Sequence, residues 1–565
     1  MITYQPLLNP LGSLALSALV ACLPLVTIFV TLGVLKWKAY IAGLTALAVS
    51  LLVAIAVYKM PALLALNSAA EGAVFGLFPI MWIVFNAIVL YEITVASGRF
   101  EDLRQVFDLI SDDPRVQAIV IAFCFGGLME ALAGFGAPVA ITGVMLMACG
   151  FSALRAATVV LLANTAPVAF GAIGTPILTA GRLTHIDADL IGAYVGHQTP
   201  VVAFFVPLFI CWLTDGRRGV KQVWPLALVV GAVFGISQWL SATYLSMELT
   251  DIVASLCGLA AVVVMLRFWR PKGRDEARAT LRDLHEQEMR ELGATDPAAA
   301  AARGTADTST RPALTGGRIA MALFPYVLVI VVFSLAKLVP AITKWLAATD
   351  LKIKWPGLDG RVLTSAGTPN SSTVYTFSWL SSPGTLLLLC GLVVALVYRV
   401  SLAEWARVIG RNAYKMRFSI LTVASVLSLA YVMNLSGQTI TIGTWIAGTG
   451  AAFAFLSPLL GWLGTAVTGS DTSANALFAT LQQTAAQKAG IDPTLLVAAN
   501  TSGGVVGKMI SPQNLTIAAT AVGLLGKESE IFRRVIWWSL GLLVLMCLLV
   551  GLQSTPVLAW MLPKA

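Results

Sequence analysis

The segment TGSDTSANALF at 468–478 concentrates polar side chains inside an otherwise apolar part of the chain. These polar residues are Ser470, Asp471, Thr472, Ser473 and Asn475. A helix that begins after this turn would direct its unpaired N–H groups and positive dipole end at the turn, where an anion could bind. Ser470 or Asp471 could instead only cap that helix. Because capping needs no carboxylate and acids inside long apolar segments are costly, we expect Asp471 to be functional.

A second polar segment, NTSGGVVGKMISPQN at 500–514, carries an isolated amine. Lys508 is the one basic residue outside every predicted loop, so it needs an anion, which Asp471 or a bound carboxylate could supply. The alternative is a lysine whose flexible stem lets the ammonium reach the membrane surface. Three glycines are expected to break this helix: Gly503, Gly504 and Gly507. Four neighbours could hydrogen-bond a carboxylate or hydroxyl of a substrate: Asn500, Thr501, Ser511 and Gln513.

A third segment, FGGLMEALAGFGAPVA at 125–140, contains a single acid, Glu130. Apolar surroundings favour the protonated form of a carboxyl, so Glu130 could carry a proton. The alternative is a structural carboxyl that is hydrogen-bonded between two halves of the protein.

These segments belong to a diverged internal duplication. ANTAPVAFGAIGTP at 163–176 aligns without gaps to ANTSGGVVGKMISP at 499–512. At a similar offset, EALAGFG lies opposite TAVTGSD. Because Asn164 and Thr165 pair with Asn500 and Thr501, they are also candidate substrate-binding residues. Four breaks are expected to converge on one site: 134–138, 164–171, 469–475 and 500–507.

The composition of this 565-residue chain indicates a membrane protein. Hydrophobic residues make up 58% and charged residues 12%, about half the share of roughly 25% in soluble proteins. This balance excludes a cytosolic enzyme, a disordered protein and a nucleic-acid binder, and it makes the lipid bilayer a partner. Seven scattered cysteines and three scattered histidines predict no disulfide, no metal site and no cofactor.

Apolar runs near 20 residues long predict helices that cross ~30 Å of hydrocarbon. The predicted spans are 13–35, 37–58, 73–97, 200–214, 223–243, 251–267, 318–338, 384–398, 418–434 and 535–553. Segments 153–181 and 493–522 are interrupted, while 114–150 and 451–489 are predicted to be re-entrant hairpins of half-length helices. The predicted fold class is an all-α polytopic membrane protein with about 12 transmembrane helices and two re-entrant hairpins.

Lys and Arg residues predict the orientation. With both chain ends outward, the cytoplasmic loops hold 27 of the 37 basic residues and the outer loops hold nine. The duplicated segments then enter the membrane from opposite sides, which is typical of secondary transporters built from inverted-topology repeats. The predicted parts are a first repeat at 1–215, connecting helices at 216–269, a cytoplasmic linker at 270–317 and a second repeat at 318–565 with an outer loop at 339–383.

Several surface features are predicted as well. ARATLRDLHEQEMREL, at the start of the linker, is expected to be helical, and DPAAAAARGTADTST to be flexible. The segments 99–110 and 401–417 are expected to form interfacial amphipathic helices. Glu71 and Glu92 lie near helix ends and are expected to be solvated.

In its polar motifs the chain resembles the L-lactate permease family. The matching motifs are FCFGGLMEALAGFGAPVAIT, NTAPVAFGAIGTPIL, GWLGTAVTGSDTSANALF, ANTSGGVVGKMISPQN and GLLGKESEIFR. The resemblance covers essentially the whole chain except the linker and the outer loop at 345–380. It implies proton-coupled transport of L-lactate, and of related 2-hydroxymonocarboxylates such as glycolate, across a bacterial inner membrane. It also implies an elevator-like movement of a hairpin domain against a scaffold.

These inferences give one hypothesis for the site. Lys508 and the helix N-terminus at 469–475 would hold the substrate carboxylate, and Asp471 or Glu130 would carry the proton. The candidates for holding the 2-hydroxyl are Asn500, Asn164, Ser511 and Gln513.

Two alternatives stay open. The same architecture could move a dicarboxylate or tricarboxylate with sodium. Ser511 or Ser470 with Lys508 could also form an intramembrane Ser–Lys hydrolase, although an inverted duplication has no use in such an enzyme.

Overall fold

Helices form most of the described part of the chain in the computed structural model. The structure describes residues 3–35, 37–99, 102, 105, 110–132, 134, 136–292, 315–364, 367–524 and 527–563. The helices before the linker are α1 (Leu14–Ala21), α2 (Leu23–Phe29), α3 (Ala39–Ala56), α4 (Ala62–Phe75), α5 (Trp82–Ala96), α6 (Pro114–Ala118), α7 (Gly126–Leu132), α8 (Ala137–Ala148), α9 (Ala153–Ala163), α10 (Gly171–Thr184), α11 (Ala188–Val195), α12 (Thr199–Leu240) and α13 (Thr250–Phe268).

The linker and the second half continue this architecture. Their helices are α14 (Arg274–Leu292), α15 (Gly316–Leu338), α16 (Pro340–Ala348), α17 (Pro383–Val397), α18 (Leu402–Ser436), α19 (Gln438–Ile446), α20 (Phe453–Thr468), α21 (Asp471–Ala489), α22 (Pro493–Gly507), α23 (Pro512–Ala521) and α24 (Glu528–Gln553). Within the predicted outer loop, β1 (Leu351–Lys354) and β2 (Val374–Phe377) pair antiparallel, which the sequence did not predict.

Apolar helices of membrane-spanning length dominate the structure. Ten helices of the described residues are long and apolar enough to cross a membrane, or eleven with one bent pair. The Thr199–Leu245 helix is too long for one crossing and breaks at Asp215 and Gly216. Its two parts fold back on each other, since a Cβ on Gly231 would collide with the carbonyl oxygen of Phe204. It therefore adds one crossing, and the predicted all-α polytopic membrane protein is confirmed.

The first arm of the predicted hairpin at 114–150 is longer than expected. A π-helical turn joins α6 to α7, so Pro114–Leu132 is a continuous 19-residue helix rather than a half-length one. The chain then turns, and α8 returns from Gly136, which has a positive φ of 85°.

The two halves exchange contacts in a reciprocal way. Helix α8 is the second arm of the predicted hairpin at 114–150. It packs against α23, which is the second part of the interrupted segment 493–522. In the same way, α21 packs against α10. Beside these elements, α3, α4 and α18 pack together, and Phe29 stacks on Phe478 of α21 with ring centroids 6.2 Å apart.

The glycines in the interrupted segment 493–522 do not break its helix, so the prediction that they would is wrong. α22 continues through Gly503 and Gly504 to Gly507, and the interruption follows at 508–511. The missing side chains instead allow α22 to approach α20, because a Cβ on Gly503 would collide with the carbonyl oxygen of Pro458. Small residues at helix contacts permit such close backbone approach in membranes.

The segment 401–417 is not a separate interfacial helix. It is the first half of α18, which runs unbroken for 35 residues from a cap at Ser401 to Gly437. Ser401 Oγ accepts a hydrogen bond from the backbone N–H of Glu404 at 3.2 Å. No proline interrupts this stretch, so the polar first half and the apolar second half form one helix.

The predicted helix at the start of the linker is present as α14. Its Glu288 lies between Ser152 at the start of α9 and Arg534 of α24. Oε2 of Glu288 accepts from Ser152 Oγ, and Oε1 accepts from Arg534 Nη1 at 3.1 Å. The segment predicted to be flexible and most of 99–110 lie outside the described residues.

We expect Gly503→Ala to destabilise the protein by about 1–3 kcal/mol, because the new methyl group would push α22 away from α20. Gly541→Ala in α24 is the matched control, since a Cβ there meets nothing within 4 Å. The control should stay within about 1 kcal/mol of the wild type. Equilibrium unfolding in mixed detergent micelles measures both, and equal stability of the two variants would contradict the proposed packing.

Candidate functional site

Chain breaks near 134, 168–172, 469–472 and 508 meet around a small cavity of about 30 Å³. Its polar lining consists of Glu130, Ser470, Asp471, Thr472 and Lys508. Six further residues complete the wall: Gly134, Val168, Gly171, Ala172, Pro176 and Gly469. The cavity has room for about one water molecule and is far smaller than the roughly 300–1,000 Å³ of typical ligand sites.

A buried ion pair between the two halves lies in the wall of this cavity. Lys508 Nζ lies 2.5 Å from Glu130 Oε1, and the side chains are 8% and 3% exposed. The second carboxylate oxygen, Oε2, accepts a hydrogen bond from Asn164 Nδ2 at 3.0 Å. The anion next to Lys508 is therefore Glu130, where the sequence suggested Asp471 or a bound carboxylate.

Local chain geometry brings the pair together. Glu130 projects from the last turns of α7, and Lys508 begins the 3₁₀ turn that interrupts the second broken helix. Gly171 leaves room for the carboxylate, because a Cβ there would come within 2.9 Å of Glu130 Oε1. In the internal duplication, Ala172 corresponds to Lys508, so the cavity receives an ammonium from one half and a methyl group from the other.

The first turn of α21 faces the same cavity. Ser470 caps the helix, its Oγ accepting from the Ser473 N–H at 3.3 Å. Asp471 Oδ1 accepts from Thr465 Oγ1 at 3.3 Å, whereas Oδ2 is buried without a hydrogen-bond partner among the described residues. The positive end of the α21 dipole therefore lies beside Lys508, and both favour an anion at this place.

The predicted residues Asn475, Asn500 and Thr501 come together, but outside the cavity lining. Asn475 Nδ2 donates to Thr501 Oγ1 at 2.8 Å and to the carbonyl oxygen of Pro176 at 3.1 Å. Asn475 Oδ1 accepts from Asn500 Nδ2 at 2.9 Å. Since Asn500 Oδ1 accepts from Gln482, these amides already bind each other and connect α21, α22 and α10.

Other predicted residues have structural partners or lie apart. Ser511 caps α23 and donates from Oγ to the carbonyl oxygen of Lys508 at 3.0 Å. Thr165 donates to the carbonyl oxygen of Leu162 at 2.6 Å. Gln513 is exposed and lies over Gly469, outside the cavity lining.

Two buried acids were missed or misjudged from the sequence. Asp251 is fully buried at the start of α13, where its Oδ1 accepts from Gln238 Nε2 at 3.0 Å. Gln238 Nε2 also donates to the carbonyl oxygen of Ala166, in the break at 164–171, and this links Asp251 to the site. Its position inside a predicted span could have identified it. Glu71, expected to be solvated, is fully buried and its carboxylate has no hydrogen-bond partner among the described residues.

We expect removal of either charge of the pair to cost about 3–5 kcal/mol of unfolding free energy, because it leaves the other charge buried and unpaired. Glu130→Gln and Lys508→Met are the single variants, and the double variant should recover at least about 1 kcal/mol of their summed loss. Glu404→Gln, which breaks the more exposed pair with Arg407, is the control and should change stability by about 1 kcal/mol or less. Additive effects of the two single changes would argue against the pair.

Comparisons with known proteins identify the family. Among solved structures, the YdaH transporter of Alcanivorax borkumensis aligns with 75% of this chain and 87% of its own at 16% identity, with a TM-score of 0.28. An L-lactate permease of Bacillus subtilis (strain 168) is 43% identical over 572 residues, which cover 98% of each chain. The glycolate permease GlcA of Escherichia coli (strain K12) is 40% identical over 96% of each chain. The profile described as L-lactate permease matches residues 17–557. The chain thus belongs to the L-lactate permease family, as its motifs predict.

Proposed function

We propose that this protein is a secondary transporter that moves L-lactate, and related 2-hydroxymonocarboxylates such as glycolate, together with a proton across a bacterial inner membrane. The names of its relatives support the substrates. The observation that carries the coupling is the buried Glu130–Lys508 ion pair at the meeting point of the chain breaks.

The coupling between lactate and the proton follows from the need to keep a buried site electrically neutral. In the empty site the Lys508 ammonium and the Glu130 carboxylate cancel each other. Asp471, which also lines the cavity, counts as a neutral acid, because in ionised form it would be a second buried carboxylate without a cation of its own. When a lactate carboxylate pairs with Lys508, Glu130 loses its cation and becomes an uncompensated buried charge unless it takes up a proton. A site with only lactate or only the proton would carry a net charge, and burying such a charge costs several kcal/mol. Lactate and the proton therefore bind together.

The cavity must enlarge before substrate binds, since about 30 Å³ is too small for a three-carbon hydroxy acid. Separation of Glu130 from Lys508 provides part of this space. The incoming carboxylate would then lie between Lys508 and the first turn of α21, near Ser470 and Thr472. Asn164 would remain available to hold the 2-hydroxyl when Glu130 becomes neutral. Asn475, Asn500 and Thr501 would fix the helices that surround the substrate.

The proposed architecture is an inverted repeat with the boundaries predicted from the sequence. The reciprocal contacts of α8 with α23 and of α21 with α10 support it, because related elements from opposite halves exchange equivalent positions. The proposed motion carries the two hairpins past the scaffold of α3, α4 and α18. Both chain ends would face the periplasm, on the basis of the Lys and Arg distribution.

Two other functions have less support. The names of the relatives, a lactate and a glycolate permease, favour a monocarboxylate over a dicarboxylate or tricarboxylate. Sodium coupling is distinguished from proton coupling by imposing sodium and proton gradients separately on proteoliposomes. A Ser–Lys hydrolase needs a serine hydroxyl bound to the lysine amine. Ser511 Oγ donates to the backbone of Lys508, and Lys508 Nζ pairs with Glu130.

We expect Glu130→Gln to lose lactate accumulation driven by a proton gradient, by at least about tenfold, because glutamine takes up no proton and the empty site keeps an unpaired ammonium. Exchange of internal for external lactate should persist within about threefold, since the loaded site stays neutral. Radiolabelled L-lactate uptake and counterflow in proteoliposomes measure the two modes.

The matched control is Glu92→Gln, which removes a carboxylate from a partly exposed pair with Lys415 near the end of α5. It should retain both transport modes. Proton-driven accumulation by Glu130→Gln at the wild-type level would show that another acid carries the coupling proton. Asp471→Asn in the same assay tests that alternative.

A further inference from the structure

A second and larger cavity lies between the end of α10 and the β1–β2 hairpin. Its volume is about 530 Å³, compared with about 30 Å³ at the ion pair. Its walls include Arg182 and His185 at the end of α10, Lys352 and Tyr375 on the hairpin, and Tyr431 on α18. Its volume falls in the range of roughly 300–1,000 Å³ that is typical of small-molecule sites. We call this cavity the vestibule.

Two cations of the vestibule have no carboxylate partner. Arg182 is half-buried and donates from Nη2 to Ser378 Oγ at 3.3 Å, while Lys352 is exposed. Among the described residues, no ion pair forms with either of them. The acid in the wall, Asp187, caps α11 and accepts from two backbone N–H groups at 2.8 and 3.3 Å. The vestibule therefore retains positive charge that can attract an anion.

The other polar groups in the wall are neutral or already bonded. Burial raises the pKa of Tyr375 to about 12, so its hydroxyl stays protonated at neutral pH. This hydroxyl donates to the carbonyl oxygen of Phe78 at 2.7 Å. His185 Nε2 lies 3.0 Å from Ser372 Oγ. Arg182 is thus the group best able to bind a carboxylate directly, through its planar fork of N–H donors.

Helices α10 and α21 connect the vestibule to the ion pair. Both begin at the small cavity and run side by side, with Gln483 Nε2 donating to the carbonyl oxygen of Thr184 at 2.8 Å. Along α10, Pro176 lines the small cavity and Arg182 lines the vestibule, which places them ~9 Å apart at 1.5 Å per residue. An anion at Arg182 would therefore be close to the route toward Lys508.

We propose that the vestibule is a first binding site for the carboxylate of a small organic anion, with Arg182 as the direct contact and Lys352 as a charge that raises the local anion concentration. This proposal rests on the proposed function and on the predicted outward position of the β1–β2 hairpin. A charge-lined cavity accelerates capture of an oppositely charged solute, and salt screens this effect.

The test compares Arg182→Gln, Arg182→Lys and Lys352→Gln with Lys344→Gln, which removes an exposed lysine outside the vestibule lining. Initial rates of L-lactate uptake are measured in right-side-out vesicles at low and high ionic strength. For Arg182→Gln we expect KM to rise about five- to twentyfold, kcat to stay within about twofold, and the salt dependence of kcat/KM to weaken. Arg182→Lys should restore the salt dependence, and Lys352→Gln should raise KM less.

The controls separate this proposal from the proposed function. Wild-type uptake in the same vesicles supports the function, whereas its absence would refute the function itself. The proposal is overturned if Arg182→Gln keeps the wild-type KM and salt dependence, if it lowers only kcat, or if Lys344→Gln raises KM equally. If Arg182→Gln fails to fold, Lys352→Gln decides, because its exposed side chain leaves the packing intact and an unchanged KM and salt dependence would overturn the proposal.

Discussion

The contact between Glu130 and Lys508 joins residues 378 positions apart and ties the two halves of the chain together inside an apolar interior. Two charges at such depth are tolerated only as a pair with further hydrogen-bond partners, which here include Asn164. The pair therefore contributes no net charge to the site. Any anion that binds Lys508 must be accompanied by a positive charge, and a proton on Glu130 is the smallest change that supplies it.

Backbone geometry makes the contact possible. The glycines of the second broken helix bring α22 against α20, and Gly504 leaves space beside Asp471 that a Cβ would fill. Gly171 does the same beside Glu130. Close helix contacts of this kind resist gradual deformation, so substrate binding is expected to move packed elements as units. In the proposed motion, the packed helices α3, α4 and α18 would be the surface past which these units move.

Much of the fold and part of the site follow from the sequence, for identifiable reasons. Long apolar runs specify spanning helices, and a lone lysine between them marks Lys508 without any knowledge of the fold. Its partner could not be identified, because pairing across the halves depends on tertiary packing that no local pattern records. The glycine run was misjudged for a similar reason, since glycine both breaks helices and permits close contact. Asp251 was not singled out, because it is the first residue of the predicted span 251–267, where an acid is usually solvated. Asn475 and Asn500 bind each other because they lie on the adjacent helices α21 and α22, a contact that only the tertiary packing shows.

Proton uptake on substrate binding tests the central claim most directly. Purified protein in weakly buffered detergent solution is mixed with L-lactate, and a pH-sensitive dye reports protons taken from the solvent while calorimetry reports lactate bound. The charge balance of the site predicts about one proton per lactate for the wild type and none for Glu130→Gln. Lactate binding by the wild type without proton uptake, or equal uptake by the variant, would contradict this account.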